Sequence, residues 1–372
     1  MAKETSKLRV AIVHDWLVGG GAERVVEQLH KLYPDAPIYT SYCTPEWRKK
    51  LDGKVVTGYL QHWPFSAIRR WAVIASLFRI HWFNTLNLSE FDVVISSTGN
   101  GEANDLRISD NTTHICYCHA PTHYYWRSYQ KYLKNPGFGI LNPLAKIGLR
   151  FFVGPFRRRD YQAAQKVDYF IANSSFIAEE IKQYYGRESA VINPPLDTKR
   201  FRHDFAGKRS GFVTVSRQVL YKHNDILIKA CNQLELPLKV IGRGPEHDRL
   251  VAIAGPTIEF LDNVNDQEVL QHLACAKAFL SASFEDFGIA PLEAIAAGTP
   301  VVAYGKGGAL DYVIPGKTGL LFKEQTVESL VETLQTFDSS KFKPQQLTAF
   351  AEKFSEENFR KIIQTFVDQH TN

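Results

Sequence analysis

One pattern constrains this chain more than any other. Short apolar runs alternate with amphipathic segments, and the alternation runs once through each half. In the first half the runs are RVAIVHDW (Arg9–Trp16), PIYTSY, KVVTGYL, FDVVISST (Phe91–Thr98), THICYCH and DYFIANS (Asp168–Ser174), with helix-like stretches such as Ala22–Leu32 and Phe176–Tyr185 between them. The second half offers GFVTVSR (Gly211–Arg217), PLKVIGRG, TIEFLDN, AKAFLSAS (Ala276–Ser283) and TPVVAYG (Thr299–Gly305), separated by NDILIKACNQL, DQEVLQHLACA and PLEAIAAG. Strands apolar on both sides are strands covered on both faces, and alternation with helices implies a parallel, doubly wound sheet. A length of 372 residues suits two such domains. The fold class expected is therefore α/β with two Rossmann-like domains: 1–191, a linker over 192–210, 211–354, and a C-terminal helix over 355–372 placed to cross back to the first domain.

Composition narrows the partners. Hydrophobic residues at 44% and charged residues at 22% exclude a disordered chain, a collagen-like repeat and a coiled coil. The net charge of +5 is unevenly spread: residues 1–190 hold 24 basic and 17 acidic side chains, and 191–372 hold 20 and 22. No nucleic-acid motif accompanies that excess, so nucleic acid is not expected as a partner. Five scattered cysteines, Cys116 and Cys118 among them, read as buried free thiols and not as a disulfide or zinc framework. The N-terminus lacks a signal-peptide pattern, and no run reaches the ~18–20 apolar residues that span a bilayer. A cytoplasmic chain is expected.

Three loops carry the chemistry. VGGGAE (Val18–Glu23) follows the first strand and precedes a helix; its glycines allow close backbone approach, and the helix start offers N–H groups to a phosphate. A plain tight turn is the competing reading, since neither the dinucleotide fingerprint nor a Walker lysine is complete. SFEDFGIAPLEAIAAGTPVV (Ser283–Val302) places Glu285 just past a strand, with Gly288 for a sharp turn and Pro291 for the first turn of a helix; Glu293, eight positions after Glu285, falls within that first turn. Two carboxylates flanking a helix start can grip sugar and ribose hydroxyls; solvated acids, one complementing the helix dipole, are the alternative. VSRQVLYKHND (Val215–Asp225) brings Arg217 and Lys222 to a strand end, where two cations can converge on a diphosphate or lie idle in solvent.

Together these residues resemble the family 4 glycosyltransferases, retaining enzymes of the two-domain GT-B fold. The resemblance covers essentially the whole chain. It rests on E-x-F-G-x-x-x-x-E (Glu285 to Glu293), the upstream Arg217 and Lys222, GG-x-E (Gly20, Gly21, Glu23), the GRGPE turn (Gly242–Glu246) and the INPPLDTKRF crossing. HDW, AERV and CHAPTHYYW resemble a bacterial branch of mannosyltransferases that build polysaccharide or O-antigen repeats. The resemblance implies catalytic roles for Arg217 and Lys222 on the donor diphosphate, for Glu285 on the transferred sugar, and for His119 facing that sugar across the interdomain cleft. It implies donor binding by Gly20, Gly21, Phe287, Gly288 and Ile289, the ribose on Glu293, and the base against Gly242, Arg243, Gly244, Asn263 and Val264. It implies no metal and no cofactor; the nucleotide sugar, GDP-mannose by preference, is a substrate. SRQVLYK lacks the family's usual glycine before Arg217. A UDP-sugar transferase, an epimerase or a non-catalytic sugar-nucleotide binder stays open.

The acceptor side is expected in the basic half. His62–Phe83 mixes Trp, Phe and Ile with Arg69, Arg70 and Arg79, and Tyr125–Asp160 holds eight basic residues and one acid, ending in Arg157, Arg158, Arg159 and Asp160. Aromatic and basic side chains together suit an anionic membrane surface; a buried helix and a solvated basic loop are the alternative. A glycan or polyprenyl-diphosphate-linked glycan is the acceptor expected, at the cytosolic face of the membrane.

Overall fold

The computed structural model describes residues 8–70, 72–134, 142–201 and 209–371. Two compact units emerge: residues 1–194 with 359–372, and residues 195–358.

The first unit is built on a seven-stranded parallel sheet, from β1 (Val10–His14), β2 (Ile38–Thr40), β3 (Val55–Thr57), β4 (Val93–Thr98), β5 (Thr113–Cys118), β6 (Tyr169–Ala172) and β7 (Ser189–Val191), in the order β3-β2-β1-β4-β5-β6-β7. Strand side chains alternate, and here both faces are apolar: Val10 and Ile12 enter one cluster, Ala11 and Val13 the other. Each fully buried Val or Ile contributes about 1.5–3 kcal/mol. The chain winds outward through β3 and then restarts on the other side of β1. The switch point therefore lies between β1 and β4, where β1 is in register with β4 from Val10↔Val93 to His14↔Ser97. Helix Glu356–His370 returns to this unit, and its Phe359, Ile363 and Val367 pack with Val10, Ile12 and Tyr117.

The second unit repeats the plan with six parallel strands, β8 (Phe212–Val215), β9 (Leu238–Ile241), β10 (Ile258–Leu261), β11 (Ala278–Ser281), β12 (Val301–Tyr304) and β13 (Gly319–Phe322), ordered β10-β9-β8-β11-β12-β13. Its switch point lies between β8 and β11. Ligands of such sheets bind beyond the strands' carboxyl ends at that point.

Two sequence readings need correction. Residues 195–201, read as linker, are part of the second unit: Leu196 and Phe201 are buried in its core, and Leu196 N–H donates to the Phe354 carbonyl at 2.8 Å. Residues 202–208 of that segment lie outside the described residues. The 62–83 segment does not offer all its arginines to a surface. Arg79 is buried, bonded through two nitrogens to Glu102, and lies over the Trp16 ring, while Arg69 covers Tyr42.

Candidate active site

In the second unit, the loop after β8 and the loop after β11 meet through one ion pair. Lys222 Nζ donates to Glu285 Oε1, and the two side chains are 21% and 24% exposed. These residues stand 63 apart in the chain, so the pair is a product of the sheet order. Arg217 is exposed and makes no ion pair among the described residues. Gln218, next to it, is completely buried. Its amide donates to the Gly242 carbonyl, and its Oε1 bonds His247 Nδ1 at 2.9 Å. The loop thus lies flat on the Gly242–Gly244 turn. A side chain at Gly242, which has φ +109°, would collide with the Ser216 carbonyl, and one at Gly244 would collide with that of Gln218. Arg243 points outward beside Asp262, 3.5 Å away. Asn263 has φ +45°, and Val264 follows it half-buried.

The loop after β11 is held from below by a segment that sequence reading passed over. Gly308 N–H donates to the Glu285 carbonyl at 3.0 Å, and buried Tyr312 donates its hydroxyl to the Phe287 carbonyl at 3.0 Å. Phe287 is itself buried, its ring 5.4 Å from that of Tyr312. Gly288, at φ +90°, caps helix Ile289–Ala296, whose first N–H groups have no intrahelical acceptor. Glu293 is the fifth residue of this helix and half-buried, so it stands in the second turn and not in the first as read from sequence. A carboxylate there is too far along for a dipole role, which acts within the first turn.

In the first unit, the glycine loop folds onto its own acid. Buried Glu23 accepts from the Gly19 N–H at 3.0 Å and from Val18 at 3.4 Å, which leaves Gly20 and Gly21 exposed ahead of helix Ala22–Leu32. At the switch point, buried Asp15 accepts from Thr98 Oγ1 and Gly99 N–H, each at 2.9 Å, and from Asn100 N–H at 3.3 Å. His119, just past β5, bonds Ser97 Oγ through Nε2 at 2.9 Å; His14 bonds the Ser97 carbonyl through Nδ1 at 2.6 Å. Burial, helped by the neighbouring His14, pushes the His119 imidazole down to about 3, so it is neutral. Sequence reading missed Asp15, Gln218 and Tyr312. An acid one residue beyond the apolar run Val10–Val13 was a usable signal for Asp15; nothing local marks the other two.

The basic stretch before Asp160 also differs from its reading. Arg157 donates to the Tyr125 carbonyl and covers Tyr129, while Arg159 pairs with Asp105 at 2.7 Å, so of the three arginines only Arg158 is exposed. Among the described residues no group of three or more His, Cys, Asp and Glu is gathered as a metal site requires. No described helix is long and apolar enough to cross a membrane.

Two family models match consecutive parts of the chain: Glycosyltransferase Family 4 over residues 19–200 and Glycosyl transferases group 1 over 196–354. The chain is a GT-B glycosyltransferase. Among relatives of this glycosyltransferase is the alpha-1,3/1,6-mannosyltransferase ALG2 of Dictyostelium discoideum, 23% identical over 86% of this chain and 87% of that one. A GDP-mannose-dependent alpha-(1-6)-phosphatidylinositol monomannoside mannosyltransferase of Mycobacterium tuberculosis is 29% identical over 43% of this chain and 50% of its own. The fold is shared with HepE of Anabaena, solved with UDP and glucose, at TM-score 0.67 and 19% identity over 97% of this chain and 100% of that one. It is shared too with sucrose-phosphate synthase of Thermosynechococcus elongatus, at TM-score 0.67 and 15% identity over 98% and 99%.

Proposed function

We propose that this glycosyltransferase moves mannose from GDP-mannose, with retention, to a glycan or polyprenyl-diphosphate-linked glycan at the cytosolic face of a membrane. The observation that carries the donor half is the meeting of the Arg217/Lys222 loop with the Glu285 loop at the switch point of the second sheet. The choice of mannose draws support from the relatives named as mannosyltransferases.

In this reading Lys222 exchanges part of its contact with Glu285 for a phosphate oxygen, and Arg217 closes on the same diphosphate. The two cations offset the charge that grows as the nucleoside diphosphate departs. Glu285, released from Lys222, accepts from a hydroxyl of the sugar, and the Gly288 and Ile289 amides face the donor. Glu293 takes the ribose. His119, being neutral, offers a hydrogen bond and no charge. No covalent sugar–enzyme intermediate is invoked: the acceptor hydroxyl enters on the face the diphosphate leaves, its proton passing to a phosphate oxygen. The protein supplies positioning and charge stabilisation.

HepE, solved with UDP and glucose, favours a second donor reading, a UDP-sugar. A thermal-shift panel of GDP-, UDP- and ADP-sugars, followed by transfer assays with and without acceptor, separates the two. GDP-mannose should raise the melting temperature most, since a tight ligand stabilises by mass action. A larger shift with a UDP-sugar removes the GDP-mannose assignment, and donor binding without acceptor-dependent turnover removes transfer itself.

A further inference from the structure

Helix Asn142–Gln165 departs from the usual division of a surface helix. Its inner side is polar at its centre: Asp160 is buried and accepts from Thr122, Trp126 Nε1 at 2.7 Å and the Tyr185 hydroxyl at 2.9 Å. Arg157 and Arg159 also turn inward, to Tyr125 and Asp105. The outer side carries large apolar side chains among exposed polar ones, Gln162 and Gln165 included. Ile147 is 52% exposed, Phe151 74% and Tyr161 44%, with Phe152 at 62% on the flank. At 3.6 residues per turn, Ile147, Phe151, Arg158 and Tyr161 fall within one narrow stripe, and exposed Arg150 borders it. Neither arginine has an ion-pair partner among the described residues, and the only acid in the helix is the buried Asp160.

We infer that this outer stripe is a docking surface for an anionic lipid bilayer. Large apolar side chains carried beside unpaired cations match the boundary between acyl chains and negative headgroups. Charge argues against a second copy of the chain, because a two-fold contact through this stripe sets Arg150 and Arg158 against their own kind. The inner side of the same helix lines a small cleft through Phe156, Arg159 and Asp160, together with Asn100 and Gly101 at the carboxyl end of β4. The inference deepens the membrane placement proposed above, but its test uses neither donor nor acceptor, so either can fail without the other.

The full chain is sedimented with sucrose-loaded vesicles of phosphatidylcholine alone and of phosphatidylcholine with 30% phosphatidylglycerol. Wild type should partition onto the anionic vesicles and lose most of that binding in 0.5 M salt or on the neutral vesicles. Phe151→Ser with Phe152→Ser should reduce partition at least tenfold, and Arg158→Glu about fivefold or more. Each variant is checked for an unchanged melting temperature, and Lys182→Glu, on another exposed helix, serves as the charge control and should bind as wild type. Three results overturn the proposal: no wild-type binding at low salt, stripe variants that bind like wild type, or a wild-type dimer that the phenylalanine changes dissociate.

Discussion

The two units share a winding scheme and a switch point, yet they treat the polar groups at that point in opposite ways. In the first unit the groups are closed on themselves. Asp15 is taken up by Thr98 and two backbone amides, His14 and His119 share Ser97, and Arg79 is sealed against Glu102. In the second unit the backbone is fixed and the charges are left to act. Gln218, Gly308 and Tyr312 pin the two loops, while Arg217 stays exposed and Lys222 and Glu285 are about a quarter exposed. A scaffold whose polar and charged groups are buried and satisfied and a scaffold that presents charged ones to solvent are both available to a parallel sheet. The difference lies in the loops that leave the carboxyl ends of the strands.

The largest expected effect tests the closed unit. Removing one partner of a buried ion pair leaves the other charge stranded, so Arg79→Leu should destabilise the first unit by ~3–5 kcal/mol, read by calorimetry. A loss under 1 kcal/mol would mean that Arg79 is not sealed. The matching change in the second unit should separate activity from stability: Lys222→Ala is expected to lower turnover by ~100-fold or more while costing at most about 1 kcal/mol of stability, because a part-exposed pair contributes little to folding. An equal collapse of both quantities would erase the contrast.

Proton uptake sharpens the same comparison. Burial pushes His114 and His123 down to about 4 and His119 down to about 3, all in the first unit. The unfolded chain protonates these groups near 6.5, whereas the folded chain leaves them neutral. Their contribution is therefore complete above about pH 6.5 and declines as pH falls from there toward 4, by at most about 2 kcal/mol per histidine at pH 5. Unfolding measured from pH 8 to 4.5 should show that slope, and His114→Gln should flatten it; an unchanged slope in the variant would remove His114 from the account. Smallest is Tyr312→Phe, which deletes one hydrogen bond to the Phe287 carbonyl. It should cost about 1 kcal/mol and raise the donor KM severalfold with little change in kcat.

Much of the architecture was legible because burial on two faces leaves uninterrupted apolar runs. FDVVISST and THICYCH became β4 and β5, and TPVVAYG became β12. The edge strands β7 and β13 were not anticipated: β7 is three residues, none of them buried, and β13 (GLLF) is a brief apolar run behind a glycine that sequence reading passed over. At the site, the residue types were legible but their partners were not. Nothing near Lys222 announces Glu285, because the pairing is made by a strand order that reads β8 against β11. Arg157 and Arg159 looked like surface charge, and only the fold reveals Tyr125, Tyr129 and Asp105 waiting for them. Glu293 stands one turn later than read because the helix starts at Ile289, two residues before Pro291.

Calorimetric titration of GDP into wild type, Arg217→Ala and Lys222→Ala, each verified as folded, tests the donor assignment most directly. Loss of either cation should weaken GDP at least tenfold and reduce the salt dependence of binding. Wild-type affinity in both variants would contradict the assignment of the diphosphate to these two side chains.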